Sequence, residues 1–214
     1  MSELLINKET LAGLQSQNQS QDFWHNQNKF IVISPLGQIT SLPKTFALMA
    51  GSFNPLHKGH KTLAKVVEGL TNQPVVFELS IANVDKPWLD EKTVLKRIAQ
   101  FIGYKTITIT KAATFMEKCD LFGGCNYILG YDTALRVVSP KYYDNEKAMI
   151  ECLKNIAAQG GRFLVAARMY DNQVKTLANL IIPKDLQPFF VEIPVEHFRV
   201  DISSTILRSQ GKNL

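Results

Sequence analysis

"LMAGSFNPLHKGHKTLAKVVEGL", Leu48 to Leu70, decides how this chain folds. The apolar run "TFALMA" (Thr45–Ala50) reads as a buried strand. A turn around Asn54-Pro55 follows it, and then apolar residues return at helical spacing at Leu63, Val66, Val67 and Leu70. Two histidines, His57 and His60, stand where the helix begins. Three residues apart, they lie on neighbouring faces of one turn. Open N–H groups at a helix N-terminus attract anions, so both imidazoles can point toward an anion held there. Gly51 lets backbone approach a ligand closely, and Ser52 offers a hydroxyl and an N–H.

The same alternation continues downstream. "PVVFELSI", "KTITIT", "NYILG", "RFLVAA" and "FFVEIPV" read as strands. Between them "LDEKTVLKRIAQFIG", with Asp90 as N-cap and Gly103 as stop, "ATFMEKCDLFGG", "YDTALRVV" and "DNEKAMIECLKNIAAQGG" read as helices. Alternating strands and helices predict an α/β fold: a doubly wound, Rossmann-like parallel sheet with helices on both faces. Ligands bind such sheets outside the carboxyl ends of the strands, where the strand order reverses. Upstream, residues 1–44 read as an N-terminal extension to a domain of residues 45–214. It holds the polar segment "LQSQNQSQDFWHNQN" and a short hairpin, "KFIVISPLGQITSL", around a Pro-Leu-Gly turn. Packing beside the domain and a mobile tail are both open for it.

Composition narrows the class. The 214 residues suffice for one substantial core. A net charge of +5 mildly favours an anionic partner, but the basic residues are scattered, with no run suited to nucleic acid. Cys119, Cys125 and Cys152 are odd in number and lack paired metal spacing. That favours buried thiols in a reducing compartment over a disulfide framework. "MSELLINKET" lacks the pattern of a signal peptide, and no apolar run approaches the roughly 20 residues of a membrane span. A cytoplasmic protein is expected, with no nucleic acid or membrane partner and room for a homo-oligomer. A metal site is not expected, because the histidine pair has no third ligand at recognisable spacing.

The C-terminal segment adds the second half of a site. "DISSTILR" places Ser203, Ser204 and Thr205 at a predicted helix start, with Arg208 one turn on. Hydroxyls, open N–H groups and a guanidinium together make a cradle for a polyphosphate. Gly130 ends the strand "NYILG". Asp132 reads equally as an acceptor for a ribose hydroxyl or as the cap of the helix that follows. Lys86 could reach phosphate but reads first as a solvated lysine, and Trp88 could stack on a flat ring but reads first as partial core.

"GSFNPLHKGH" and "ISSTILR" resemble the two signature motifs of the HxGH nucleotidylyltransferase superfamily. Within it they are most similar to the nicotinamide/nicotinate mononucleotide adenylyltransferases. "ILGYDTALRV" resembles the Gly-x-Asp segment those enzymes carry between the motifs, and "GGRFLVAARM" the strand that follows. The resemblance implies that a phosphate of an acceptor mononucleotide attacks the α-phosphate of ATP and releases pyrophosphate. It implies that His57 and His60 donate to phosphate oxygens, in a protonated state favoured by those phosphates. Gly51, Ser52 and Phe53 would then line the nucleotide through backbone, Gly130 and Asp132 would meet the ribose, and Ser203, Ser204, Thr205 and Arg208 would hold the departing phosphates. Mg²⁺ would arrive on the triphosphate. The pyridine-recognition segment of the adenylyltransferases is not clearly matched by "SIANVDKPWLDEKTVLKR". A related enzyme using CTP or another phosphorylated acceptor, and a nucleotide-binding regulator without turnover, therefore stay open.

Overall fold

In the computed structural model, residues 23, 29–82, 87–196 and 198 are described. "ISSTILR", with Ser203, Ser204, Thr205 and Arg208, lies outside the described residues, as do Lys86 and most of the polar N-terminal segment.

Eight strands form the main sheet, in the order β10 (Phe190–Ile193), β7 (Arg162–Ala166), β6 (Asn126–Gly130), β3 (Ala47–Ala50), β4 (Val75–Ser80), β5 (Ile107–Thr110), β1 (Phe30–Ile33) and β2 (Ile39–Thr40). Six of them are parallel: β3, β4, β5, β6, β7 and β10. Counted along the chain from β3, their spatial order is 3-2-1-4-5-6, the doubly wound arrangement, and it reverses between β3 and β6. That crevice is where a ligand is expected.

The helices divide between the two faces. α1 (Lys58–Thr71) and α2 (Glu91–Ile98) cover one, where Leu63, Ala64, Val67, Val94 and Ile98 pack with Phe53, Phe77 and Phe101. α3 (Phe115–Phe122), α4 (Tyr131–Val137) and α5 (Glu146–Ala158) cover the other, around Tyr127, Leu129, Leu153, Ile156 and Phe163. Buried residues on both faces explain why the parallel strands read as continuous apolar runs rather than as alternating ones. The expected stripe on α1 needs one correction. Its buried line is Gly59, Leu63, Ala64 and Val67, whereas Leu70 at the helix end is 49% exposed. Three cysteines, Cys119, Cys125 and Cys152, are free thiols.

Two features depart from a purely parallel sheet. β1 (Phe30–Ile33) pairs antiparallel with β5 and with β2 (Ile39–Thr40), so the hairpin is hydrogen-bonded into the sheet. It covers the edge that β5 would otherwise expose. Phe23 is fully buried in the core of the α1 face, and the Lys111 ammonium donates to its carbonyl. A second hairpin was not anticipated: β8 (Arg168–Tyr170) and β9 (Gln173–Lys175) pair antiparallel immediately after β7. Its turn residues Asp171 and Asn172 both have positive φ, 49° and 60°. Asp and Asn tolerate that conformation, and two of them between short β-rich runs were the signal for it.

Candidate functional site

The turn after β3 is built to hold an unusual shape. Phe53 has φ of 45°, a strained conformation for a bulky residue, and its side chain is fully buried against Phe77, Phe101 and His60. Gln100 fastens the turn from below. Its amide donates to the Phe53 carbonyl (2.9 Å) and accepts from Leu56 N–H (2.7 Å). Arg97 donates to the Ser52 carbonyl (3.0 Å). A Cβ at position 51 would lie 2.7 Å from the Phe53 ring, so Gly51 is required where the chain passes over that ring.

His57 is the N-cap of α1 and His60 is its third residue. Their rings stack, with centroids 3.7 Å apart and planes 24° from parallel. His60 Nδ1 accepts from the backbone N–H of His57 (3.3 Å), which leaves Nε2 as the protonated nitrogen of a neutral ring. His57 Nδ1 turns toward the same helix end but completes no hydrogen bond. It is a buried polar atom with no partner among the described residues.

Electrostatics oppose the expected protonated imidazoles in the free protein. Burial, then the neighbouring His57 and the Arg168 guanidinium, lowers the pKa of His60 to about 3. Burial and Arg168 also lower that of His57. His60 is therefore neutral across the physiological range. Its folded pKa lies below the ordinary value near 6.5, so the unfolded chain takes up the proton first as pH falls. This group's contribution to stability is complete above about pH 6.5 and is lost toward pH 3. We expect the His60 imidazole resonances to stay fixed between pH 8 and 5 in NMR titration of the ligand-free protein. A midpoint near 6.5 would contradict the burial argument.

These groups face a cavity of about 280 Å³ at the switch point. Met49, Ala50, Gly51 and Ser52 line it from β3, His57, Gly59, His60 and Leu63 from α1, and Gly130, Asp132 and Thr133 from the β6–α4 junction. Ala166, Ala167, Arg168 and Phe198 close the remaining side. The sequence-nominated His57, His60, Gly51, Ser52, Gly130 and Asp132 thus share one cavity. Phe53 does not line it; its side chain supports the turn from the core. Trp88 is 61% exposed and lines neither this cavity nor its neighbour. Asp132 is not the helix cap: α4 starts at Tyr131 with Gly130 as N-cap, and Asp132 Oδ1 instead pairs with Arg168 Nη1 at 2.7 Å.

Arg168, Gln100 and Arg97 were missed by sequence reasoning. Arg168 stands just beyond the carboxyl end of β7, so the strand-end rule extended to that strand would have nominated it. Gln100 and Arg97 act on backbone atoms 44 to 47 residues away, and no local pattern announces that.

A family model for cytidylyltransferase-like proteins matches residues 48–210, from inside β3 to beyond the last described residue. The chain belongs to the cytidylyltransferase-like family. It is 23% identical over 168 residues to a probable nicotinate-nucleotide adenylyltransferase of Borreliella burgdorferi, covering 78% of this chain and 84% of that protein. A probable nicotinate-nucleotide adenylyltransferase of Borrelia garinii subsp. bavariensis is 24% identical over 169 residues, covering 78% of this chain and 82% of its own. The counterpart in Borreliella afzelii is 22% identical over 168 residues, with coverage of 78% and 84%. Membership in a nucleotidylyltransferase family makes the chain an enzyme with a nucleotide substrate, and the crevice between β3 and β6 is the place the fold provides for it. Among the described residues no helix is long and apolar enough to cross a membrane.

Proposed function

We propose that this enzyme transfers AMP from ATP to a pyridine mononucleotide, nicotinate mononucleotide before the nicotinamide form, and releases pyrophosphate. The observation that carries the reading is the stacked histidine pair lining the switch-point cavity. The acceptor phosphate attacks the α-phosphate in line, and no covalent enzyme intermediate is needed. Catalysis is then positioning and charge stabilisation. His57 and His60 donate from their rings to oxygens on which charge accumulates, while Gly51 and Ser52 offer backbone. Asp132 accepts from the ribose beside Gly130, where a side chain would crowd the carboxylate. Ser203, Ser204, Thr205 and Arg208 hold the departing phosphates.

Among the described residues no three His, Cys, Asp or Glu side chains gather as a metal cage. Asp132 is a single carboxylate already engaged by Arg168, with the Ser52 and Thr133 hydroxyls in the same cavity. With that carboxylate committed to Arg168 and the ribose, the site suits a Mg²⁺ that keeps its waters and is held by the substrate phosphates rather than by a protein cage. When bound, Mg²⁺ would neutralise charge developing on the pyrophosphate. A second cavity, also about 280 Å³, shares Thr133 with the first and supports the choice of acceptor. Phe115, Tyr142 and Tyr143 give it aromatic walls for a flat ring, and the similarity to three probable nicotinate-nucleotide adenylyltransferases favours the acid over the amide.

The test incubates the protein with Mg²⁺, ATP or CTP, and a panel of phosphorylated acceptors, and follows pyrophosphate release. ATP with nicotinate mononucleotide should give the fastest turnover. Turnover of CTP, or of a non-pyridine acceptor only, would replace this reading with that substrate.

A further inference from the structure

β7 leaves the sheet after Ala166, and only Ala167 separates it from Arg168, the first residue of β8. The β8–β9 hairpin docks at two points on the first turn of α4. The Tyr170 ring meets the Tyr131 ring edge-on, with centroids 5.5 Å apart, and Arg168 Nη1 donates to Asp132 Oδ1 at 2.7 Å. Tyr131 and Asp132 are consecutive, so the aromatic contact sets where the guanidinium arrives. A Cβ at Gly130 would stand 3.1 Å from Asp132 Oδ1 and 3.6 Å from Arg168 Nη1, so the absence of a side chain there leaves room for the pair.

The pair is a poor device for stability. Its side chains are 36% and 39% exposed, and ion pairs that wet contribute little. What it does achieve is orientation. An aspartate at the mouth of a cavity has two equivalent oxygens and a broad terminal torsion. With Oδ1 held by Arg168, that freedom is removed. Asp132 Oδ2 has no hydrogen bond among the described residues, and Asp132 lines the cavity.

We infer that Arg168 is a positioning residue for nucleotide selection: it fixes the Asp132 carboxylate through one oxygen so that the other accepts a ribose hydroxyl, favouring a ribonucleotide over its deoxy form. The inference rests on the nucleotide site proposed above and concerns how that site reads the sugar. A site built to bond a hydroxyl discriminates against the analogue that lacks it.

The experiment measures Kd by calorimetry for ATP, 2′-deoxy-ATP and 3′-deoxy-ATP with the full chain, in wild-type form and as Arg168→Gln, Arg168→Lys and Asp132→Asn. A hydrogen bond to a charged acceptor corresponds to roughly ten- to hundredfold in binding. Wild type should therefore prefer ATP over at least one deoxy analogue by about tenfold or more. Arg168→Gln should weaken ATP by much of that factor and leave that analogue unchanged, and Arg168→Lys should retain part of the preference. Asp132→Asn combined with Arg168→Gln should lose little beyond the larger single loss. Equal weakening of ATP and both analogues in the arginine variants would overturn the inference, because a direct phosphate contact or a scaffold role predicts that pattern. Wild type that binds ATP without preferring it over either analogue overturns the inference alone. Wild type that binds no nucleotide overturns the functional reading with it.

Discussion

Replacing His60 by alanine should lower kcat by roughly 10²–10³, the range for losing one preorganised donor. His60 Nδ1 is already used, accepting from the His57 N–H, and this fixes Nε2–H as the group presented to the cavity. Holding the ring neutral suits the role, since a neutral donor can face phosphate without first being charged in a buried place. The fold should survive, because the buried line of α1 is Gly59, Leu63, Ala64 and Val67 and excludes His60. Losing the capping acceptor should cost about 0.5–2 kcal/mol. His60→Asn separates the two roles: a carboxamide oxygen can still accept from the His57 N–H, but the donor no longer reaches the cavity. Stability should return with Asn while kcat stays low. An unchanged kcat in a folded His60→Ala protein would remove the imidazole from the transition state.

Much of this site was legible because one local segment encodes most of it. Strand, glycine, turn and histidine-capped helix are consecutive between Ala47 and Thr71, and the strand–helix alternation then places the turn at the switch point. Gly130 and Asp132 followed from the same rule applied to β6. What stayed hidden was set by contacts between distant segments. The lowered pKa of His60 comes first from burial, then from His57 beside it, and then from Arg168, more than 100 residues away; the burial and the arginine are not written near the histidines. Asp132 read equally as a cap and as a ribose acceptor, and the cap reading fails because Gly130 takes that position while tertiary pairing with Arg168 uses the Asp132 carboxylate. The β1–β2 hairpin was readable as a hairpin, but its antiparallel pairing with β5 depends on which sheet edge lies open. Residues 168–175 were passed over because three-residue strands carry too few positions to show a period.

The second large effect lies beneath the site, at Lys118. Glu78 on β4 is 1% exposed and stands in register with Ala50, one residue before Gly51. Lys118 on α3 is 4% exposed; its Nζ lies 3.2 Å from Glu78 Oε1 and donates to the Ala112 carbonyl at 2.5 Å. The Thr110 hydroxyl donates to the same Glu78 oxygen at 2.5 Å. The network joins β4, the end of β5 and α3, so it braces the strand neighbouring the one that feeds the histidine turn. Removing one partner of a buried pair leaves an uncompensated charge, which costs about 3–5 kcal/mol. Lys118→Met should therefore lower stability by that amount in urea denaturation, although the substitution is apolar and similar in length. Adding Glu78→Gln should recover most of the loss, since a neutral amide can still accept from Thr110 without needing a cation. The exposed pair Lys147–Glu151, 3.9 Å apart with side chains 86% and 64% exposed, supplies the contrast. Lys147→Met should leave the midpoint almost unmoved, because water already solvates both charges. If Lys118→Met matched Lys147→Met, or if Glu78→Gln failed to rescue it, the loss could not be assigned to an unpaired Glu78 carboxylate.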